Sequence, residues 1–278
     1  MINRRMFHAM GTEIELLVDA DHAERSLDAA ELEFHRLEAL LSRFRDDSEL
    51  SRLNRDGSIE PGRDLARVVE LALEARDRTS GRFDPTVHNA LVAAGYDRSF
   101  EQLPAEGETT PPPPAARGVW LRPGRIELEP GVQIDLGGIG KGYAAERAAE
   151  LLALAGPCLV NAGGDIAIRG GSWPVGVDGA VTLELASGAL ATSGRDRRHW
   201  RRAGRELHHL IDPATGEPSE TDLLRVTVVA GDAVDAEVAA KSLFLAGSKR
   251  AAAEANAAGM PAVLVTEDGR TLLAGGLA

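Results

Sequence analysis

QIDLGGIGKGYAAERAAELL, residues Gln133–Leu152, decides how the rest of the chain is read. Apolar Val132 and Ile134 suggest a strand end, Asp135 follows, then come a glycine turn and an amphipathic helix. Glycines at 137, 138, 140 and 142 allow positive φ and close approach to a ligand. The helix start offers unpaired N–H groups and the positive end of the dipole. Lys141 adds a full charge there. Together they predict an anion site with phosphate as the natural guest. Neither familiar phosphate loop fits. A Walker loop needs a glycine where Asp135 stands, and Gly142 stands where Ser or Thr should follow the lysine. Gly138, Gly140 and Gly142 are spaced GxGxG, which is not the dinucleotide pattern. The plain alternative is a tight strand-to-helix turn with an exposed lysine.

With 278 residues, 44% apolar and 27% charged, the chain is long enough to bury a core and ordinary for a soluble globular protein. A net charge of −12 argues against a general nucleic-acid binder. The one cysteine, Cys158, lies in an apolar run and reads as core, so there is no disulfide framework and no cysteine metal site. No stretch reaches the roughly 18 apolar residues of a membrane span, and the N-terminus shows no apolar signal core. The expected location is the cytoplasm.

In chain order, Arg4–Val18 reads as two strands around Met10-Gly11-Thr12. Leu27, Ala30, Phe34, Leu37, Leu41 and Phe44 recur at helical spacing after a capping box at Asp21–Glu24. Ser48–Asn54 is a polar loop or short helix, and Asp64–Thr79 a second amphipathic helix. Asp84 and Pro85 open a further helical segment as cap and first-turn proline. The proline-rich stretch at about 104–117 reads as an exposed insertion, followed by a hairpin of Val119–Leu121 and Ile126–Leu128. Short strands follow at Cys158–Val160, Ile166–Ile168, Trp173–Val177, Val181–Leu185, Ala189–Ser193, Glu206–Ile211 and Arg225–Ala230. Helices at Asp232–Ala246 and Lys249–Ala258 and strands at Ala262–Thr266 and Thr271–Leu273 close the chain. The mixture lacks strict βαβ alternation, so the expected class is α+β with mostly antiparallel sheets flanked by helices, in one domain over residues 1–278.

Four further groups are rich in polar residues. Asn161-Ala162-Gly163-Gly164-Asp165 can bring backbone N–H groups and two side chains to a ligand, or simply be a tight turn. Thr192 and Ser193 end a strand with two hydroxyls, where plain capping is the alternative. His209 and Ile211 would share one face of a strand, with Asp212 on the other. A histidine suits proton removal from a hydroxyl near neutral pH, and Asp212 can instead cap the turn that follows. Glu237 and Lys241 stand four apart on one helix, where the plain reading is a surface ion pair worth about 0.3–0.5 kcal/mol. The six arginines of Arg195–Arg205 read as a solvated loop.

Seven motifs in order, Met10-Gly11-Thr12, SELSRLN at Ser48–Asn54, FDPTV at Phe83–Val87, DLGGIGKGY at Asp135–Tyr143, VNAGGD at Val160–Asp165, ATSG at Ala191–Gly194 and HLIDP at His209–Pro213, resemble the FAD:protein FMN transferase (ApbE) family. The resemblance implies FAD as substrate and transfer of its FMN half to a Thr or Ser hydroxyl of an acceptor flavoprotein, with release of AMP. It implies catalytic roles for His209 and Lys141, and assigns Met10, Asn54, Asp84, Asp135, Gly138, Gly140, Asn161, Gly163, Gly164, Asp165, Thr192 and Ser193 to flavin binding. It also implies magnesium, held by the Gly138 carbonyl and by an Asp and a Thr four residues apart on the late helix. Here those two positions are Glu237 and Lys241. Glutamate can still bind magnesium with a shifted carboxylate. A charged lysine cannot coordinate, but it can act catalytically as a point cation on the pyrophosphate. The alternatives in function are an FAD pyrophosphatase and a non-catalytic FAD-binding protein.

Overall fold

The computed structural model describes residues 1–104, 107, 109–111, 117–177, 179 and 181–277. Most of the proline-rich insertion at about 104–117 lies outside the described residues. In chain order the elements are β1 (Ile2–Ala9), β2 (Thr12–Asp19), α1 (Glu24–Leu41), α2 (Glu49–Asp56), β3 (Ser58–Ile59), α3 (Arg63–Arg78), α4 (His88–Ala93), β4 (Val119–Arg122) and β5 (Arg125–Leu128). They continue with α5 (Gly140–Ala153), β6 (Cys158–Ala162), β7 (Asp165–Val177), β8 (Val181–Gly194), β9 (His199–Arg202), β10 (Arg205–His208) and β11 (Leu223–Ala230). The last are α6 (Ala233–Ala246), α7 (Ser248–Ala258), β12 (Ala262–Thr266) and β13 (Thr271–Ala274). Contacts group the chain into two compact units. The first holds Met1–Glu38, Ile139–Ser193 and Asp222–Ala278, and the second Ala39–Gly138 and Gly194–Thr221.

The first unit is built on an eight-stranded sheet of order β1-β2-β6-β7-β8-β11-β12-β13. The pairings β1–β2, β2–β6, β6–β7, β7–β8, β11–β12 and β12–β13 are antiparallel, as the α+β reading expects. Helix α5 packs on β6, β7 and α6, and α6 packs on β11. Central β6 is buried at four of its five residues, including Cys158, whose thiol burial pushes up to about 11, so it is an inert core group. On α1, Leu27, Ala30, Phe34 and Leu37 are fully buried, each large side chain contributing about 1.5–3 kcal/mol.

The second unit carries a β3-β5-β4 sheet, a β9–β10 hairpin and helices α2 to α4. Its core joins Ala90, Leu91, Ala94, Tyr96, Trp200, Leu207 and Ile211. The Trp200 indole N–H donates to the Ala94 carbonyl at 2.8 Å, so the buried ring leaves no polar atom unmatched.

Several sequence expectations change. Helix α1 ends at Leu41, and Phe44 lies beyond it, 41% exposed and 5.7 Å from the Tyr96 ring. The polar SELSRLN stretch is helical: Ser48 caps α2 by accepting from Ser51 N, and Gly57 ends it at φ 71°. Ile166–Ile168 and Trp173–Val177 are one strand with a register shift between Arg169 and Trp173, and Val181–Leu185 and Ala189–Ser193 are one strand as well. The arginine run is no solvated loop, because β9 passes through it and Arg202 is buried, donating to the carbonyls of Pro104 and Arg201.

Candidate active site

The glycine turn differs from its sequence reading in two ways. None of Gly137, Gly138, Gly140 and Gly142 takes positive φ. Val132 and Ile134 lie in extended chain outside any ladder, because the Asn54 side chain does the pairing. Its amide donates to Ile134 O at 2.9 Å and accepts from Ile134 N at 2.8 Å. Gly142 serves close approach instead. A Cβ there would stand 2.6 Å from the Ala233 carbonyl oxygen and 3.0 Å from Glu237 Oε2. That lets the first turn of α5 meet the first turns of α6 at van der Waals distance.

Within the first unit, this approach assembles a charged cluster. Lys141 Nζ lies 2.7 Å from Asp165 Oδ2 and 2.5 Å from Glu237 Oε1. Glu237 Oε2 accepts from Gly142 N at 2.9 Å, so one N–H at the start of α5 already holds an in-chain anion. Asp165 and Glu237 are 3% and 4% exposed, which rules out the surface Glu237–Lys241 pair of the sequence reading. Lys241 follows Glu237 by one helical turn and is half-buried.

Two hairpin turns meet beside this cluster. Gly163 and Gly164, at φ 69° and 106°, connect β6 to β7 as the two-residue loop such a hairpin favours. Asn161 Oδ1 accepts from Gly164 N at 2.9 Å. A side chain at Gly163 would collide with Thr12, the first residue of β2 beside the β1–β2 turn. In that turn Met10 takes φ 53°, a conformation costly for a non-glycine residue, and its N–H donates to Glu38 Oε1 at 2.6 Å. A Cβ on Gly140 would lie 4.0 Å from Met10 Cε. Met10, Gly140, Lys141, Gly163, Gly164, Asp165 and Glu237 are thus brought together. Thr192 and Ser193 serve the sheet: Thr192 Oγ1 and Thr227 Oγ1 share a hydrogen bond of 2.8 Å between β8 and β11, and Ser193 is buried.

Within the second unit, Asp135 Oδ1 accepts from Gly137 N at 2.8 Å while Oδ2 pairs with Arg43 Nε at 2.7 Å. Arg43 also donates to Tyr96 O and lies over the rings of Phe44 and Tyr96 at 4.2 and 4.7 Å. Sequence reading missed Arg43; its only signal was an arginine just ahead of the SELSRLN motif. His88 was missed too. Burial pushes it below the ordinary imidazole value, against the pull of Asp135. Asp84 caps the turn Pro85–Val87 as expected, accepting from Thr86 N and Oγ1 at 2.9 and 2.7 Å. Gly138 is buried at the end of this segment.

His209 sits one residue past the end of β10, not inside a strand. Its Nδ1 lies 3.4 Å from Arg198 O, which leaves Nε2 as the basic nitrogen when Nδ1 carries the proton. Neighbouring His208 is buried, with Nε2 3.1 Å from Ser219 O and Nδ1 accepting from Leu210 N at 3.3 Å. Burial pushes it down to about 4, so it is neutral and fixes the backbone beside His209. Asp212 caps the following turn, with Oδ1 accepting from Ala214 N at 2.9 Å.

The described residues hold no cluster of three His, Cys, Asp or Glu suited to a metal. Glu237 accepts at both oxygens from Lys141 and Gly142, and the Lys141 ammonium fills the space between Glu237 and Asp165. These residues, as placed, do not fit a resident magnesium ion.

The profile of the ApbE family matches residues 10–264. The FAD:protein FMN transferase of Escherichia coli K12 is 29% identical, over 94% of this chain and 83% of its own. That of Treponema pallidum is 30% identical, over 78% and 70%. The crystal structure of the ApbE protein of Thermotoga maritima superposes with a TM-score of 0.86 at 26% identity, covering 99% of this chain and 97% of that one. The flavinyl transferase ApbE of Pseudomonas stutzeri, apo form, shares the fold with a TM-score of 0.82 at 21% identity, over 99% and 95%. A match across nearly the whole length, in both sequence and fold, places this chain in the ApbE family.

Proposed function

We propose that this chain transfers the FMN half of FAD to a threonine or serine hydroxyl of an acceptor flavoprotein and releases AMP; the names of its relatives describe the transfer of FMN from FAD to a protein for them. The observation that carries the reading is the lysine clamp at the start of α5, beside two glycine-bearing hairpin turns. Attack on a pyrophosphate requires its charge to be neutralised and its oxygens held. Lys141, the first N–H groups of α5 and the Gly163-Gly164 turn supply charge and donors. Met10, Gly140, Asn161 and Asp165 shape the same place, and Asn54, Asp84, Asp135 and Gly138 order the glycine turn from the second unit's side of the sequence.

The acceptor oxygen attacks the FMN-side phosphorus. His209 Nε2 takes the hydroxyl proton, the bond from that phosphorus to the bridging oxygen breaks, and AMP leaves with the electron pair. Magnesium enters no step, because the Glu237 carboxylate is already engaged. Lys241, one turn beyond Glu237 on the same helix, is the second cation this proposal draws on. A cytoplasmic acceptor completes the proposal; a modified hydroxyl found only on proteins outside the membrane would remove that part.

The test is to incubate the protein with FAD and an acceptor polypeptide, then map FMN on the acceptor by mass spectrometry. A phosphoester on one Thr or Ser, lost in His209→Ala, is expected. FAD consumed with no modified acceptor would sink the transferase reading.

A further inference from the structure

We infer that this chain carries its own cation in place of a divalent metal: the Lys141 ammonium, clamped between Asp165 and Glu237, is the resident positive charge, and FAD binds without metal. The inference rests on the transferase reading only in its FAD arm. Two observations carry it. The ammonium lies 2.7 and 2.5 Å from oxygens of two carboxylates that are almost wholly buried. The remaining Glu237 oxygen is fixed by the Gly142 N–H, and the absence of a side chain at Gly142 is what lets α6 stand close enough for that bond. The Glu237 side of the clamp is therefore anchored to the backbone of α5.

Magnesium demands near-octahedral oxygen ligands, and both Glu237 oxygens are already taken by Lys141 and Gly142. FAD binding needs no covalent change here: the pyrophosphate meets the ammonium and the α5 N–H groups directly.

Manganese is the probe, read by electron paramagnetic resonance on the full-length, metal-stripped protein. The wild type should leave the hexaaqua signal unchanged across the millimolar range. Lys141→Met frees the two carboxylates and should deplete the signal, with affinity raised by at least about tenfold. A wild-type site tighter than this, abolished in Glu237→Gln, would overturn the inference, and that comparison needs no folded Lys141 variant. In parallel, FAD affinity from flavin fluorescence should agree within about twofold between chelator and excess magnesium, and a gain of more than about tenfold with magnesium contradicts the inference. FAD failing to bind in either buffer would count against the transferase reading, while the manganese signal still decides the cation.

Discussion

Two cations pair with carboxylates of the family motifs, one in each compact unit, and they are held in opposite ways. Arg43 is fixed on several sides of its guanidinium. Its guanidinium pairs with Asp135, donates to the Tyr96 carbonyl and lies over two aromatic rings. Lys141 is held only at its tip, between two carboxylates, with 18% of its side chain exposed. An arginine bound by shape holds the backbone in place; a lysine bound by charge can be drawn to a substrate phosphate. The first pair orders the glycine turn, and the second is the one the proposed transfer draws on at the helix that follows it.

The contrast is sharpest under mutation. Lys141→Met should lower the transfer rate by about 10²–10³-fold, the scale for removing one stabilising donor of a transition state. It leaves two buried carboxylates uncompensated, so stability should fall as well, by about 3 kcal/mol in urea unfolding. Arg43→Ala should cost a comparable 3–5 kcal/mol by the same measurement, but its kinetic effect should fall mainly on the Michaelis constant for FAD. If both variants lost stability and turnover alike, the distinction between a positioning cation and a reacting one would collapse.

The second unit should also respond to acid. His208 is neutral because burial pushes it down to about 4, whereas an unfolded histidine titrates near 6.5. Between those values the unfolded chain takes up a proton that the folded chain refuses, so stability falls as pH drops through the window and levels off below it. The loss reaches about 3 kcal/mol at most. His208→Gln should flatten this slope in a pH series of urea melts.

Met10 separates stability from function within the first unit. Its φ of 53° is one that glycine adopts without strain. Met10→Gly should raise stability by about 1 kcal/mol while weakening FAD binding several-fold in fluorescence titration. The smallest effect is expected at the sheet. Thr192→Val removes one hydroxyl from the Thr192–Thr227 pair and should cost about 1 kcal/mol, with transfer unchanged.

Much of the layout was legible in the chain. Apolar spacing gave α1 and α3, and Asp84-Pro85 announced its cap. The glycine pairs marked the turns because turn chemistry is local. What sequence could not show depends on contacts across long separations. Gly142 reads as a flexible turn residue but is a point of close approach to Ala233, ninety-one positions on by numbering. Glu237 reads as half of a surface pair, yet it is buried beside a lysine from another helix. Asn54 reads as a ligand contact, and its amide is used by the Ile134 backbone. Arg43 carries no local signal beyond standing just ahead of SELSRLN, because its partners are Asp135 and the carbonyl of Tyr96.

The measurement that tests the central claim most directly is the stoichiometry of AMP release against flavin attached to the acceptor. Transfer predicts one AMP for each modified hydroxyl and no AMP without acceptor, in chelator as well as in magnesium. AMP formed at the same rate when the acceptor is left out would make water the nucleophile and contradict the account.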